Sequence, residues 1–199
     1  MDPGRARLAI GEGFTEILHS ARSGAPWAFE RLYIDVAPVV AGYLRLQGAA
    51  EPDDLTSEAF LGVFGRLASF EGSEQQFRSW VFTIAHHRLV DERRRAARRP
   101  SIPTADAQMF DRPGGDVEHD VFDVLGTARV YELCAGLSDD QREVLILRIV
   151  ADLTVEQVAA IVGKSVGAVK ALQRRALNAL RKKLERDAYP YEGVTRSRR

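Results

Sequence analysis

Between Leu153 and Arg186 the chain reads LTVEQVAAIV, then GKS, then VGAVKALQRRALNALRKKLER. A short helix with apolar residues at three- and four-residue spacings meets a glycine turn, and a long basic helix follows. That order predicts a helix-turn-helix, whose second helix can enter a DNA major groove. Val155, Val158, Ala159 and Val162 form the packing face of the first helix. Gly163 suits the turn, because a left-handed backbone costs glycine little. On the second helix Val169, Leu172, Ala176 and Leu180 face inward. That leaves Lys170, Gln173, Arg174 and Arg175 outward, where arginine can pair with guanine and glutamine with adenine.

Charge supports this reading through its distribution. The formal net charge of the 199 residues is zero. From Lys164 onward, however, eleven Lys or Arg stand against three Asp or Glu, a local charge of +8. From Ala105 to Asp123 six acidic residues face one arginine, a local charge of −5. Contact with nucleic acid follows the local charge, not the total.

The rest of the chain reads as helices separated by Gly, Pro and Asp clusters, with no strand pattern. A first helix is expected over about residues 8–22 and a second from Pro26, with Phe29, Leu32, Tyr33, Val36, Val40, Tyr43 and Leu44 as its buried stripe. Pro38 falls inside that stripe and is expected to kink or loosen the helix. Pro52-Asp53-Asp54 opens a third helix, with acidic residues where the helix dipole favours them. Gly62 and Gly65 are expected inside it, where close packing is one use for them. Ser69 to Gln76 reads as a polar loop. A fourth helix is expected over about residues 77–98, apolar at first and ending in the run RRRAARR, Arg93 to Arg99. That run suits phosphate contact, and also a plain solvated face. Trp80 and Phe82 near its start are candidates for stacking on an unpaired base or for the core. Ser138 followed by Gln141 fits a capping box that opens a further helix.

The resulting expectation is an all-α protein of two small helical domains joined by a flexible acidic linker. The first domain spans residues 1–100, the linker 101–121, the helix-turn-helix domain 122–187, and a frayed tail 188–199.

Several function classes find no support in the residues. His86 and His87 are adjacent, so on a helix they point about 100° apart, and no neighbouring residues complete a ligand set. No metal site or cofactor is expected. No glycine-rich phosphate loop or nucleophile-base pair is readable, so the chain is not expected to be an enzyme. No apolar run approaches the roughly 20 residues of a membrane span, and the first residues lack a signal-peptide core. Cys134 is the one cysteine, which suits a reducing compartment and a small buried apolar role. The expected location is the cytoplasm, without membrane insertion.

The order of the pieces carries a resemblance. DDLTSEAFLGVFGRLASF, FRSWVFTIAHHRLVDERRR, an acidic linker and LSDDQREVLILRIVADLTVEQVAAIVGKSVGAVKALQRRAL follow one another. From about Ala28 to Leu184 the chain resembles the extracytoplasmic-function (ECF) group of the sigma-70 family, bacterial transcription initiation factors. The resemblance implies a two-domain factor that directs core RNA polymerase to promoters by recognising the −35 and −10 elements and melting DNA. Phe29 to Leu46 resembles region 2.1. Asp53 to Phe70 resembles region 2.2, which implies contact of Asp54, Leu55, Glu58 and Phe60 with the beta-prime clamp of the polymerase. For Leu55 and Phe60, core packing is an equal alternative. Phe77 to Arg95 resembles regions 2.3 and 2.4, and Ser69 to Gln76 the loop that captures a flipped base. Together these imply −10 roles for Ser69, Phe70, Trp80, His87, Arg88, Arg94 and Arg95. His87 stands where many relatives carry Asn. Ser138 to Leu184 resembles region four, which implies −35 contact by Lys170, Gln173, Arg174 and Arg175 and docking on the beta flap. Promoter DNA, core polymerase and an anti-sigma factor are the implied partners. The alternative from the residues alone is a stand-alone helix-turn-helix regulator with an N-terminal sensing or dimerisation domain.

Overall fold

The computed structural model describes residues 10–98 and 127–188, and every regular element among them is helical. The acidic linker, Arg99, Pro100, Pro103 and the tail lie outside the described residues. The chain divides into two units, Met1–Val124 and Leu125–Arg199.

In the first unit a 3-10 turn, Gly11–Gly13, leads into α1, Phe14–Arg22, which begins later than the periodicity suggests. Gly24 ends it with φ +86°. Helix α2, Pro26–Leu46, has Pro26 in its first turn, as expected. Pro38 does not break it. The carbonyl that Pro38 leaves without a helical donor belongs to Ile34, which is exposed, so water can replace the missing bond. Helix α3, Pro52–Phe64, carries Asp53 and Asp54 in its first turn. Gly65 is its C-cap and not an interior residue. A β-carbon on Gly62 would lie 3.5 Å from Ile84 Cγ2, an ordinary contact, so packing against α4 does not require glycine there.

A second 3-10 turn, Leu67–Ser69, precedes α4, Glu74–Arg98. The helix therefore claims Glu74 to Gln76, which polar composition alone assigns to the loop. The cause is local. Ser73 Oγ accepts from the Gln76 main-chain N–H at 3.3 Å, and Gln76 Oε1 accepts from the Ser73 N–H at 2.8 Å. This reciprocal pair satisfies two of the donors that a helix start leaves free.

Ring contacts define how these helices pack. Phe29 meets Phe64 at 5.0 Å and Tyr33 meets Phe60 at 4.8 Å, which sets α2 and α3 antiparallel. Tyr43 packs on Phe82 at 5.6 Å and bonds His86 Nδ1 at 3.1 Å, and further along both helices Arg93 donates to the Gln47 carbonyl, which sets α2 and α4 parallel. Leu32, Val40, Val63, Val81, Ala85 and Leu89 fill the space between them without solvent exposure.

The second unit holds α5, Thr127–Cys134, α6, Asp139–Ile149, α7, Val155–Val162, and α8, Val166–Ala188. Ser138 and Gln141 form the expected capping box at α6. Thr154 and Gln157 form a second one at α7, beyond what the sequence reading anticipates. Val144, Leu147, Leu153, Val158, Val169 and Ala176 are fully buried between α6, α7 and α8. Leu180 is half-buried and packs against Leu137 and Leu145.

Candidate nucleic-acid interface

The turn between α7 and α8 has the geometry the sequence requires. Gly163 adopts φ +64°, ψ 30°, and its N–H and that of Lys164 both turn back to the Ala159 carbonyl. Lys164 Nζ reaches Asp140 Oδ2 at 3.0 Å, fastening the turn to α6. Ser165 Oγ accepts from the Ala168 N–H at 3.2 Å and caps α8. Buried Val169 and Leu172 fix the rotation of α8. As a result Lys170, Arg174 and Arg175 are exposed. Gln173 differs from them. It is half-buried, and its Oε1 accepts from Arg148 Nε at 3.4 Å. Arg148 is itself anchored by donating through Nη1 to the Leu153 carbonyl. Sequence periodicity places Gln173 outward but cannot reveal this support from α6.

On the first unit, Trp80, His87 and Arg94 fall seven residues apart and so line one side of α4. Trp80 is half-buried and lies against Phe70, ring centroids 5.0 Å apart and planes 7° from parallel. Phe70 also meets Phe77 edge-on at 5.6 Å. Phe82, by contrast, is in the core. Ser69 is exposed and donates its hydroxyl to the Arg66 carbonyl at 2.9 Å. His87 is exposed, whereas its neighbour His86 turns inward to Tyr43. Arg88 is half-buried, 3.9 Å from Glu58. Arg94 and Arg95 are exposed, and their side chains make local contacts to Asp91. Arg93 is drawn away from the run to the end of α2, where it donates to the Gln47 carbonyl.

Helix α3 separates the four residues named on it. Asp54 and Glu58 are exposed, while Leu55 and Phe60 are buried, Phe60 against Tyr33 of α2. The apolar residue that does reach the surface there is Leu61, 73% exposed. Asp54, Glu58 and Leu61 stand at i, i+4 and i+7 and share one face. The sequence contains that spacing, but Phe60, Leu61 and Phe64 cluster so closely that periodicity does not say which one faces water.

Among the described residues no group of His, Cys, Asp or Glu is arranged to hold a metal ion. No described helix is long and apolar enough to cross a membrane.

Comparison with known proteins accounts for both units. Residues 29–99 match the family described as Sigma-70 region 2, and residues 135–182 match Sigma-70, region 4. The chain is 32% identical over 175 residues to the ECF RNA polymerase sigma factor ShbA of Streptomyces griseus, spanning 83% of this chain and 92% of that one. It is 31% identical over 175 residues to the ECF RNA polymerase sigma factor BldN of Streptomyces coelicolor, spanning 87% of this chain and 66% of that one. Among solved structures, the sigma factor RpoE from Bartonella quintana, crystallised with the anti-sigma factor NepR, is 26% identical with a TM-score of 0.58, covering 79% of this chain and 96% of its own. CnrH, at 24% identity and a TM-score of 0.59 over 88% of this chain and 99% of its own, shares the fold. With both regions present in order and relatives of this similarity along most of its length, the chain belongs to the ECF RNA polymerase sigma factors of the sigma-70 family.

Proposed function

We propose that the chain acts as a dissociable specificity subunit of bacterial RNA polymerase, in the cytoplasm, with the polymerase supplying the catalytic chemistry. In this reading residues 122–187 anchor −35 DNA through Lys170, Gln173, Arg174 and Arg175. The first hundred residues dock on the beta-prime clamp through Asp54, Glu58 and the neighbouring Leu61. The same unit opens and reads the −10 element through Ser69, Phe70, Trp80, His87, Arg88, Arg94 and Arg95. Leu55 and Phe60 hold the docking helix in place from below. Residues 101–121 tether the two parts, and region four also meets the beta flap.

The observation that carries this reading is the pairing of an exposed basic recognition helix with a separate aromatic-and-arginine face on α4. A sensing domain attached to a helix-turn-helix has no use for the second face. Two weak DNA-reading units held at fixed spacing on the polymerase gain effective concentration for one another. By analogy with RpoE and NepR, an anti-sigma factor is the expected regulator, covering the same polymerase and DNA faces.

The test is run-off transcription with core polymerase on genomic fragments, with and without the protein. New starts sharing two upstream elements at constant spacing are expected. Absence of new starts, together with tight binding of the protein alone to palindromic DNA, would instead establish a stand-alone regulator.

A further inference from the structure

Helix α1 and the 3-10 turn before it precede the residues that match region two, yet together they are fastened to both ends of the segment between α3 and α4. At the near end Arg22 Nε donates to the Ala68 carbonyl at 3.2 Å, and Arg22 Nη2 lies 3.7 Å from Glu71 Oε1. At the far end the two oxygens of Glu74 accept from the main-chain N–H groups of Ile10 and Gly11, at 2.8 and 3.2 Å. Arg78, 8% exposed, pairs with the same carboxylate at 2.5 Å and fixes its orientation. Between these ends Phe14 meets Phe77 at 5.7 Å, Phe77 meets Phe70 at 5.6 Å, and Phe70 stacks on Trp80 at 5.0 Å. A continuous line of rings thus runs from α1 through Phe77 to the half-buried Phe70 of the segment and Trp80 of α4.

We infer that residues 10–22, the 3-10 turn with α1, are a brace that sets the position of residues 68–73 for promoter opening, with Arg22 and Glu74 as positioning residues that do not touch DNA. A short connecting segment with few buried groups of its own is mobile by default, and a mobile loop loses part of its binding energy to ordering when it takes up a ligand. One end tied to α1 through Arg22, the other to the preceding turn through Ile10 and Gly11, and a ring tied to α1 through Phe77 place that ordering in the folded protein before DNA arrives. The inference rests on the proposal that this segment captures an unpaired −10 base.

The test uses holoenzyme assembled from core polymerase and the full chain, carrying Arg22→Ala, Arg22→Lys or Glu74→Gln. Open-complex formation is followed on the promoter mapped by run-off transcription, and on copies with an abasic site at each non-template position of the −10 element. Arg22 is an exposed side chain, so thermal unfolding of Arg22→Ala is expected to match the parent. On the intact promoter Arg22→Ala and Glu74→Gln are expected to slow opening about five- to tenfold, the effect of removing one or two hydrogen bonds, with core affinity unchanged. Arg22→Lys, which keeps a donor and a charge, should recover part of the rate. On the template lacking the captured base, parent and variants should open equally slowly. A purely structural defect would not vanish with the base. An unchanged rate in both Arg22→Ala and Glu74→Gln, or an equal deficit on intact and abasic templates, overturns the brace. If no abasic position slows the parent, base capture by this segment is itself wrong, and the brace falls with it.

Discussion

Arg93 and Gln47 lie 46 positions apart in sequence and meet where α2 ends: the guanidinium donates to the Gln47 main-chain carbonyl and stands 3.4 Å from Gln47 Oε1. The contact puts a cation over a helix C-terminus, where the backbone presents unsatisfied carbonyls and partial negative charge. It also divides the arginine run of α4 by function. One arginine ties the end of α4 to α2, whereas the side chains of its neighbours Arg94 and Arg95 reach Asp91 on their own helix.

Arg93→Ala is therefore expected to lower the stability of the first unit by about 1–2 kcal/mol, the range for a charge-assisted hydrogen bond at a helix end. Arg94→Ala and Arg95→Ala should change stability by less than about 0.5 kcal/mol, as surface substitutions do. Each of those two should instead lower the slope of log affinity for −10 DNA against log salt by about 1. Urea unfolding and a salt titration of the same three variants separate the roles. A reduced salt slope in Arg93→Ala with unchanged stability would reverse the assignment.

The two sides of α3 should respond differently to substitution. Leu61 is exposed and Leu55 is buried, six residues and about 120° apart around the helix. Leu61→Asp is expected to leave urea unfolding unchanged and to weaken core-polymerase binding at least about tenfold, because a docked leucine contributes roughly 1.5–3 kcal/mol by burial. Leu55→Ala should cost about 2–5 kcal/mol of stability through the cavity it leaves. Core affinity measured by competition against a second sigma factor, alongside urea midpoints, decides the matter. Full core binding by Leu61→Asp would move the clamp surface elsewhere.

Local periodicity and capping residues make most of the helices legible in the sequence. Val155, Val158 and Ala159 followed by Gly163 carry enough information to place α7, the turn and the start of α8. Ser138 and Gln141 mark α6 by the same rule that Ser73 and Gln76 obey at α4. That second box is present in the sequence, and it starts the helix at Glu74 instead of Phe77. Contacts that join distant residues are not legible. Nothing local to Arg93 points to Gln47, and nothing near Glu74 points to Ile10, 64 positions away. The same holds for Leu61, whose exposure depends on where α2 and α4 lie and not on its own spacing. The candidate site is thus readable as residue types on helices, while the division between residues that face a partner and residues that support them requires the packing.

The recognition helix offers a test of that division. Arg174 and Arg175 are exposed, whereas Gln173 is held by Arg148. Replacing Arg174 and Arg175 by Ala should cost about 1–3 kcal/mol in −35 binding for each arginine that reaches a base edge, with core affinity nearly intact. Arg148→Met removes the support of Gln173 and the bond to the Leu153 carbonyl while keeping most of the side-chain volume. It should weaken −35 binding on the preferred sequence but add little once Gln173→Ala is present. A double-mutant cycle measures this coupling. Additive losses would mean that Arg148 serves the fold of the α6–α7 connection alone. Equal loss of core binding and −35 binding in the Arg174 and Arg175 variants would contradict a separate DNA-reading role for region four.

Cys134 presents the last case, in which burial opposes a chemical role. It is 6% exposed, and desolvation raises its thiol pKa above the ordinary value, with the charges of Arg142 and Lys183 acting weakly in the other direction. The thiolate is the reactive form, so a raised pKa and a buried sulfur both slow attack on oxidants and disulfides. A thiol reagent at pH 8 should label native protein much more slowly than protein unfolded in urea. The sign of the linkage follows from the same shift. The folded state keeps the proton at a pH where the unfolded state has lost it. The stabilisation is therefore complete below the ordinary thiol pKa and declines as pH rises through it towards the folded value. Cys134→Ala should flatten that alkaline decline and leave transcription insensitive to mild peroxide, as in the parent. Rapid labelling of the native thiol, or peroxide sensitivity that disappears in Cys134→Ala, would show that the second unit opens around Cys134 and that the residue senses oxidants.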